Sequence, residues 1–324
     1  MLMEYETAGD PMSGMKWTRK TTEKISAELE SIDIFVSKTT VARLLREMDF
    51  SLKSNSKKIS NGGKYVSTEE QKNRDKQFKY LKRKRREYEK NGDPVISVDT
   101  KKKELIGNFK NAGTRLKRQA DITNDHDYLS YALGKAALYG IYDTVKNSAY
   151  VCIGKFLIEG NSFSSSDTPQ FAVESIAEWW TKEGSLTYPR SAKLLILADA
   201  GGSNGYKPHM WKVNIQKILC DQLGLEVTVL HFPPGASKWN PIERKLFSFI
   251  SDNWKGTPLK TYETVLKYVR STTTKIGLIV KARLVSKKYI SGIKATEDDL
   301  NTLRIKTNRS NPIWNYTLVP NKQE

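Results

Sequence analysis

The pattern of apolar and polar positions divides the chain into a short helical front and a longer stretch in which strands come first and helices join later. Residues 1–15 hold Gly, Pro, Ser and four Met without any period, and the first structured element is expected near Trp17. TTEKISAEL, from Thr21 to Leu29, has helical spacing. SKTTVARLLREM predicts a second helix with Ser37 as its N-cap and with Val41, Leu44 and Leu45 turned inward. A polar, Lys-rich connector from Ser54 to Asn61 follows, and then EEQKNRDKQFKYLKRKRREYEK, residues 69–90, predicts a third helix with Phe78, Tyr80 and Leu81 as its apolar contacts.

Past the turn signal Asn91-Gly92-Asp93-Pro94 the period changes. PVISVD is a short apolar strand ending in Asp99, and KELIGNF is expected to be its antiparallel return. LSYALGKAALYGIYD and SAYVCIGKFLI supply further strands, and TPQFAVESIAEWWTKEG an amphipathic helix with Trp179 and Trp180 in the core. KLLILAD predicts a buried strand ending in Asp199. A Gly-rich loop, the helix HMWKVNIQKILCDQLG, the strand LEVTVLHF and the turn PPGASKWNP then lead into IERKLFSFISDNW, a helix with Glu243 near its start. Strands followed by alternating helix and strand predict a mixed α/β sheet, and no internal repeat is visible. The organisation expected is an irregular start over 1–15, a helix-turn-helix-like segment over 16–60, a basic helical linker over 61–92, and an α/β domain over 93–324.

Composition narrows the partners. The 324 residues carry 54 Lys+Arg against 36 Asp+Glu, a formal +18 and a pI near 9.6, which favours polyanions through counterion release. Nucleic acid leads, although ribosome-associated and anionic-membrane proteins share this balance. Cys152 and Cys220 stand far apart with no Cys or His at ligand spacing, so neither a disulfide framework nor a zinc knuckle is expected. The acidic beginning MLMEYETAGDP has no basic n-region, and no segment approaches the roughly 18 apolar residues of a membrane span. A cytoplasmic, nucleoid-associated protein with no membrane partner is the expectation.

In the helix-turn-helix reading, Lys38, Thr39, Thr40, Arg43 and Arg46 of the second helix are available to a major groove; a plain helical hairpin has the same pattern. Lys82, Arg83, Lys84, Arg85 and Arg86 suit a phosphate backbone and equally a solvated charged face.

Three carboxylates stand at informative places. Asp99 and Asp199 end strands, and open α/β sheets gather ligands at the carboxyl ends of strands, with Glu243 on a helix at the edge of that crevice. Acids crowded together repel unless divalent cations neutralise them, and oxygen-only donors suit Mg²⁺ or Mn²⁺. Two such ions about 4 Å apart serve in-line phosphodiester chemistry. Spacing alone also allows each acid simply to cap a helix or hold a Lys. Lys101, Lys102, Lys103, Lys238 and Arg244 flank these acids and are candidates for phosphate contact, against surface solvation as the alternative. GGSNG, Gly201 to Gly205, lacks the Lys-Ser/Thr ending of a P-loop, so no nucleotide cofactor is expected; it reads equally as a tight turn and as a site-shaping loop. His126, Asp127 and Asp167 are candidates for metal binding or water positioning and Trp239 for stacking on a base, each weighed against an ordinary structural role, while His231 reads as turn packing.

The segments SVDTKKKELIGNFKNAG, GKAALYGIYD, DTPQFAVESIAEWW, LLILADAGGSNGYKPHMWK and HFPPGASKWNPIERKLFSFISDNWKG together resemble the ISAzo-thirteen-like family of insertion-sequence DDE transposases. More distantly, PPGASKWNPIE is similar to the Pro-Pro and Asn-Pro-Ile-Glu signature of mariner-like enzymes. The resemblance runs from about Trp17 to Pro320. It implies a ribonuclease-H-like catalytic domain, a mixed central sheet with flanking helices, preceded by a small all-α helix-turn-helix-like domain. It also implies that Asp99, Asp199 and Glu243 hold two Mg²⁺ or Mn²⁺ ions, hydrolyse phosphodiesters at element ends and transfer the 3′ hydroxyl into target DNA. The implied partners are double-stranded DNA, as terminal repeats and target, and further copies of the chain in a homo-oligomer. Departures are Ala200 where the family more often has Gly, a divergent TRLKRQADI stretch after Gly113, and no DNA-binding region ahead of Gly9-Asp10-Pro11. An N-terminally truncated copy is therefore expected. Two other classes stay open: a catalytically incompetent copy that only binds DNA, and a ribonuclease-H-like nuclease or resolvase.

Overall fold

The computed structural model describes residues 8–9, 16–17, 20–51, 67–156, 158–159, 162–163, 167–308 and 310–321. The connector expected over Ser54–Asn61 and most of the irregular start over 1–15 lie outside the described residues. The chain divides into two compact units, Met1–Ser67 and Thr68–Glu324.

The first unit contains two helices, α1 (Thr22–Glu30) and α2 (Lys38–Glu47). Each begins where a hydroxyl accepts an otherwise unpaired N–H: Thr21 caps Lys24 N, and Ser37 caps Thr40 N. Val41 is buried and Leu45 half-buried, but Leu44 is 40% exposed, contrary to its expected inward packing. Positions 41 and 45 lie four apart on one face of α2, and that face carries its burial, while position 44 lies at the margin of it.

The second unit opens with α3 (Thr68–Asn91). Residues 61–92 were expected to link two domains; from Thr68 onward they belong to the larger unit instead. The reason is an apolar stripe: Tyr80, Leu81 and Tyr88 are buried against Val95, Leu195, Leu197, Leu230 and Phe232. Gln77, also buried, donates through Nε2 to His231 O at 2.9 Å and Asn315 Oδ1 at 2.7 Å, and accepts from Asn315 Nδ2 at 2.8 Å.

Eight strands form one sheet: β1 (Val95–Ile106), β2 (Gly134–Asp143), β3 (Ser148–Phe156), β4 (Lys193–Ala198), β5 (Glu226–His231), β6 (Ile279–Val285), β7 (Ile305–Thr307) and β8 (Asn315–Leu318). β1 corrects the expected hairpin at Asp99. PVISVD and KELI are one strand, and a register shift between Lys101 and Glu104 takes up the basic run that resembled a turn. Its antiparallel partner is β2, beyond a loop over 107–133.

The strand order is β6-β3-β2-β1-β4-β5-β8-β7. Its central five have β1, β2 and β3 antiparallel in succession, with β4 and then β5 parallel to β1 on the other side. This is the ribonuclease-H-like arrangement, a mixed sheet with flanking helices. Both faces are covered, which is why the strands read as nearly continuous apolar runs. Ile96, Val98, Ile196 and Val229 pack with α4 (Pro169–Trp179) and the helix α5, which starts at His209–Asn214 and continues through π-helical turns over Ile215–Gln222. On the opposite face Leu138, Val151 and Ile153 meet α6, which runs through Glu243–Phe247 and Ser248–Trp254, and α7 (Tyr262–Arg270). Trp179 and Trp180 are buried, as their place on the helix predicted. Among the described residues no helix is long and apolar enough to cross a membrane, and Cys152 and Cys220 are buried free thiols.

Candidate active site

The register of two parallel strands brings the first two acids together. Val95 stands opposite Leu195 and Val98 opposite Ala198, so one further step sets Asp99 beside Asp199. Side chains alternate across a strand, and the parity that turns Val95, Leu195 and Leu197 toward α3 carries Asp99 and Asp199 to the same face.

The third acid arrives on α6. The Ile242 N–H donates to Ser97 Oγ at 3.0 Å, which seats the head of the helix, and with it Glu243, over β1. Gly140, the antiparallel partner of Asp99, makes room for that seat, because a Cβ there would lie 2.8 Å from Ile242 Cδ1 and from Phe247 Cε1.

All three acids are half-buried, and all three bind protons more tightly than ordinary carboxylates. Burial and then the facing Asp199 push Asp99 up to about 8, against a 2.7 Å hydrogen bond from the Thr100 N–H. Burial raises Asp199, opposed by the amide of Asn240. Burial and then Asp199 raise Glu243, opposed by Lys101 and by a hydrogen bond from Asp99. Among the described residues, no three His, Cys, Asp or Glu side chains are disposed to hold one ion between them. The donor set nonetheless fits hard divalent cations: it is all oxygen, mutually repulsive, and bordered by Ser203 Oγ and Asn204 Oδ1, buried polar atoms with no hydrogen-bond partner.

Asp99, Lys101, Lys102 and Lys103 line a cleft of about 750 Å³, together with Asp127, Asp167, Ser203 and Asn204. Asp167 accepts from Thr100 Oγ1 at 3.3 Å and pairs with Lys103 at 3.2 Å. Lys101 is paired with Glu104, while Lys102 is exposed at the cleft. His126 does not line the cleft; it lies beside Asp125 at 3.1 Å and stacks on Tyr128. Trp239 packs edge-on against Phe78 of α3 with ring centroids 6.1 Å apart, and Lys238 and Arg244 lie over its ring at 5.5 and 5.7 Å.

Along α3, Lys82, Arg83 and Arg86 are exposed, whereas Lys84 pairs with Glu87 and Arg85 with Glu89. In the first unit Thr39 and Arg46 are exposed, Lys38 is held by Glu23 and Arg43 by Glu47, and Thr40 meets the Ser37 hydroxyl at 3.1 Å.

Sequence reasoning missed Ser97, Gly140 and Asn240, and gave His231 only a packing role. His231 is fully buried, with Nδ1 2.9 Å from the Asp199 carbonyl and Nε2 3.2 Å from the Tyr316 hydroxyl. A carbonyl can only accept, so Nδ1 carries the proton and Nε2 accepts from Tyr316. A Ser interrupting the apolar run VISVD and an Asn three residues before the last acid were the available signals.

Solved structures of the Mos1 transposase are similar to this chain. The paired-end complex with left transposon end is matched at a TM-score of 0.43 and 16% identity, over 77% of this chain and 65% of that one. The pre-cleavage Mos1 transpososome is matched at 0.45 and 16%, over 77% and 66%, and the Mos1 mariner paired end complex with Mn at 0.44 and 15%, over 77% and 65%. The chain thus spans somewhat less than two thirds of the Mos1 chains it matches. No curated protein matches it. Over residues 1–320 the sequence matches the Rhodopirellula transposase DDE domain family, and the chain belongs to that family.

Proposed function

We propose that this protein is an insertion-sequence DNA transposase that cuts phosphodiesters at element ends and transfers the freed 3′ hydroxyl into target DNA. In this reading Asp99, Asp199 and Glu243 hold two Mg²⁺ or Mn²⁺ ions. The observation that carries it is the meeting of three carboxylates, from two neighbouring strand ends and one helix start, each raised by burial, and Asp99 and Glu243 raised further by the charge of Asp199. Such a cluster is unfavourable in isolation and is stabilised by divalent cations. When bound, the ions would activate an attacking oxygen and stabilise the leaving one.

The protein's own residues supply the rest. Asp99 and Asp199 offer adjacent oxygens from a rigid sheet, and Glu243 closes the set from α6. Lys102 at the cleft neutralises a phosphate beside the acids, and Lys101 and Lys103, already paired with Glu104 and Asp167, set the polarity of its wall. Asp167 and Asp127 place further carboxylates on that wall, suited to orienting water. Lys82, Arg83 and Arg86, joined by Lys84 and Arg85, follow a DNA backbone along α3, with Lys238 and Arg244 nearer the acids. Lys38, Thr39, Thr40, Arg43 and Arg46 of α2 serve as a groove-reading face. Joining two ends requires at least two copies on DNA, and the site of action is the nucleoid.

The test is a nicking and strand-transfer assay with DNA carrying the flanking repeats of the encoding element. Wild-type protein with Mg²⁺ should nick and join; Asp199→Ala should fold and do neither. Equal activity in the variant rejects the assignment, and DNA binding without cutting by wild-type protein marks a copy that only occupies its ends.

A further inference from the structure

We propose that Asn240 is the positioning residue of the acid site, tying Asp199, the strand that presents Asp99 and the helix that presents Glu243 into a single hydrogen-bonded knot through Ser97. The inference rests on the reading that the three acids hold divalent ions.

Asn240 and Ser97 are both fully buried. Asn240 Nδ2 donates to Asp199 Oδ1 at 3.0 Å and to Val98 O, the carbonyl just before Asp99, at 3.2 Å. Its Oδ1 accepts from the Ser97 hydroxyl, and Ser97 Oγ accepts the N–H of Ile242, the residue just before Glu243. The orientation of the amide follows from its partners: a backbone carbonyl and a carboxylate only accept, so the NH₂ faces them and the oxygen faces Ser97. Both amide hydrogens and the carbonyl are therefore used: the two N–H bonds end on Asp199 and on the residue before Asp99, and the oxygen reaches the residue before Glu243 through Ser97. Asn240 is fully buried with its amide wholly engaged, so it acts through the acids and not on a substrate.

Two features set this apart from routine satisfaction of a buried amide. First, the three segments are remote in sequence, and no other described side chain hydrogen-bonds to the carboxylate of Asp199. Second, α6 packs directly on Gly140, where a Cβ would lie 2.8 Å from Ile242 Cδ1 and Phe247 Cε1, so the bonds are made within a closely packed contact. Hydrogen bonds to ligating carboxylates orient the ligands, and removing such a partner typically costs about 10- to 100-fold in metal affinity.

The experiment is Mn²⁺ titration of the full chain, followed by electron paramagnetic resonance, alongside thermal melts. Asn240→Ala should remain folded and raise the Mn²⁺ Kd at least about 10-fold. Asn240→Asp keeps the shape but sets a fourth carboxylate against Asp199, and should weaken Mn²⁺ binding even where its melting temperature stays near wild type. Ser97→Ala, which releases Ile242 and the Asn240 oxygen together, should weaken Mn²⁺ several-fold and decides the matter should Asn240→Ala not fold. Folded Asn240→Ala and Ser97→Ala proteins with wild-type Mn²⁺ affinity, beside an Asp199→Ala protein that has lost it, overturn the positioning role while the acid site stands. Wild-type Mn²⁺ affinity in Asp199→Ala overturns the acid site itself, and the positioning role with it.

Discussion

Asp99 lies one residue beyond the Val98–Ala198 register pair, so it meets Asp199 across two parallel strands, and burial together with that charge pushes Asp99 up to about 8. The pairing that makes the sheet regular also makes the site electrostatically unfavourable without cations. Most of the consequences below can be measured without DNA.

With chelator present, the raised Asp99 should make the protein lose stability as pH rises. The unfolded carboxyl ionises near its ordinary 3.8 and the folded one only near 8, so between these values the folded state holds the extra proton and stability falls with increasing pH. Melting temperatures of wild type and Asp99→Asn from pH 4 to 8 should diverge, with the variant's slope the flatter. Mg²⁺ displaces that proton, so its stabilising effect on wild type should grow over the same range.

Gly140→Ala should disturb the site from behind. The added methyl meets Ile242 and Phe247, and overpacking of this kind costs about 1–3 kcal/mol. Urea denaturation should show that loss, and Mn²⁺ affinity should fall with it because α6 carries Glu243. An unchanged Mn²⁺ Kd in a destabilised Gly140→Ala protein would mean that the helix seat and the acid geometry are independent.

His231 should stay neutral far below its ordinary range. Burial lowers it to about 4, with its Nδ1–H donated to the Asp199 carbonyl. The unfolded imidazole takes up its proton near 6.5 and the folded one only near 4, so this residue contributes stability above about 6.5 that is lost as pH falls toward 4. Imidazole NMR should show a single Nδ1–H tautomer through pH 5.5; a protonated ring at pH 6 would contradict the burial.

Phe78 and Trp239 should be energetically coupled. Their edge-on contact joins the basic helix α3 to the turn that carries Asn240. A double-mutant cycle with Phe78→Ala and Trp239→Ala should return a coupling of about 0.5–1.5 kcal/mol. Strict additivity would mean that the contact touches without stabilising the pair.

Neutralising Lys82, Arg83 and Arg86 should lower DNA affinity alike for all sequences and flatten its salt dependence, by roughly 0.9 in the log–log slope for each phosphate contact removed. A slope equal to wild type would assign these side chains to solvation alone.

Much of this was legible in the chain itself. Ser37 as a cap, the apolar runs ending at Asp99 and Asp199, and the turn before Glu243 are local signals, set by a few neighbouring residues and by backbone preferences that do not wait for tertiary contacts. The resemblance to a transposase family likewise rested on contiguous motifs. The failures were those of distance. KELI continues β1, because its partner β2 arrives from beyond residue 133, and the basic helix belongs to the sheet, because Tyr80, Leu81 and Tyr88 find their cover on strands encoded later. Gly140 and His231 have no local mark of their roles, and Ser97 and Asn240 only faint ones, since each role depends on which residue stands opposite in a pairing the sequence does not state. The sequence by itself determined where the acids stand along the chain; only the tertiary structure, through strand register and close packing of α6 on Gly140, decided that they meet and which buried groups hold them there.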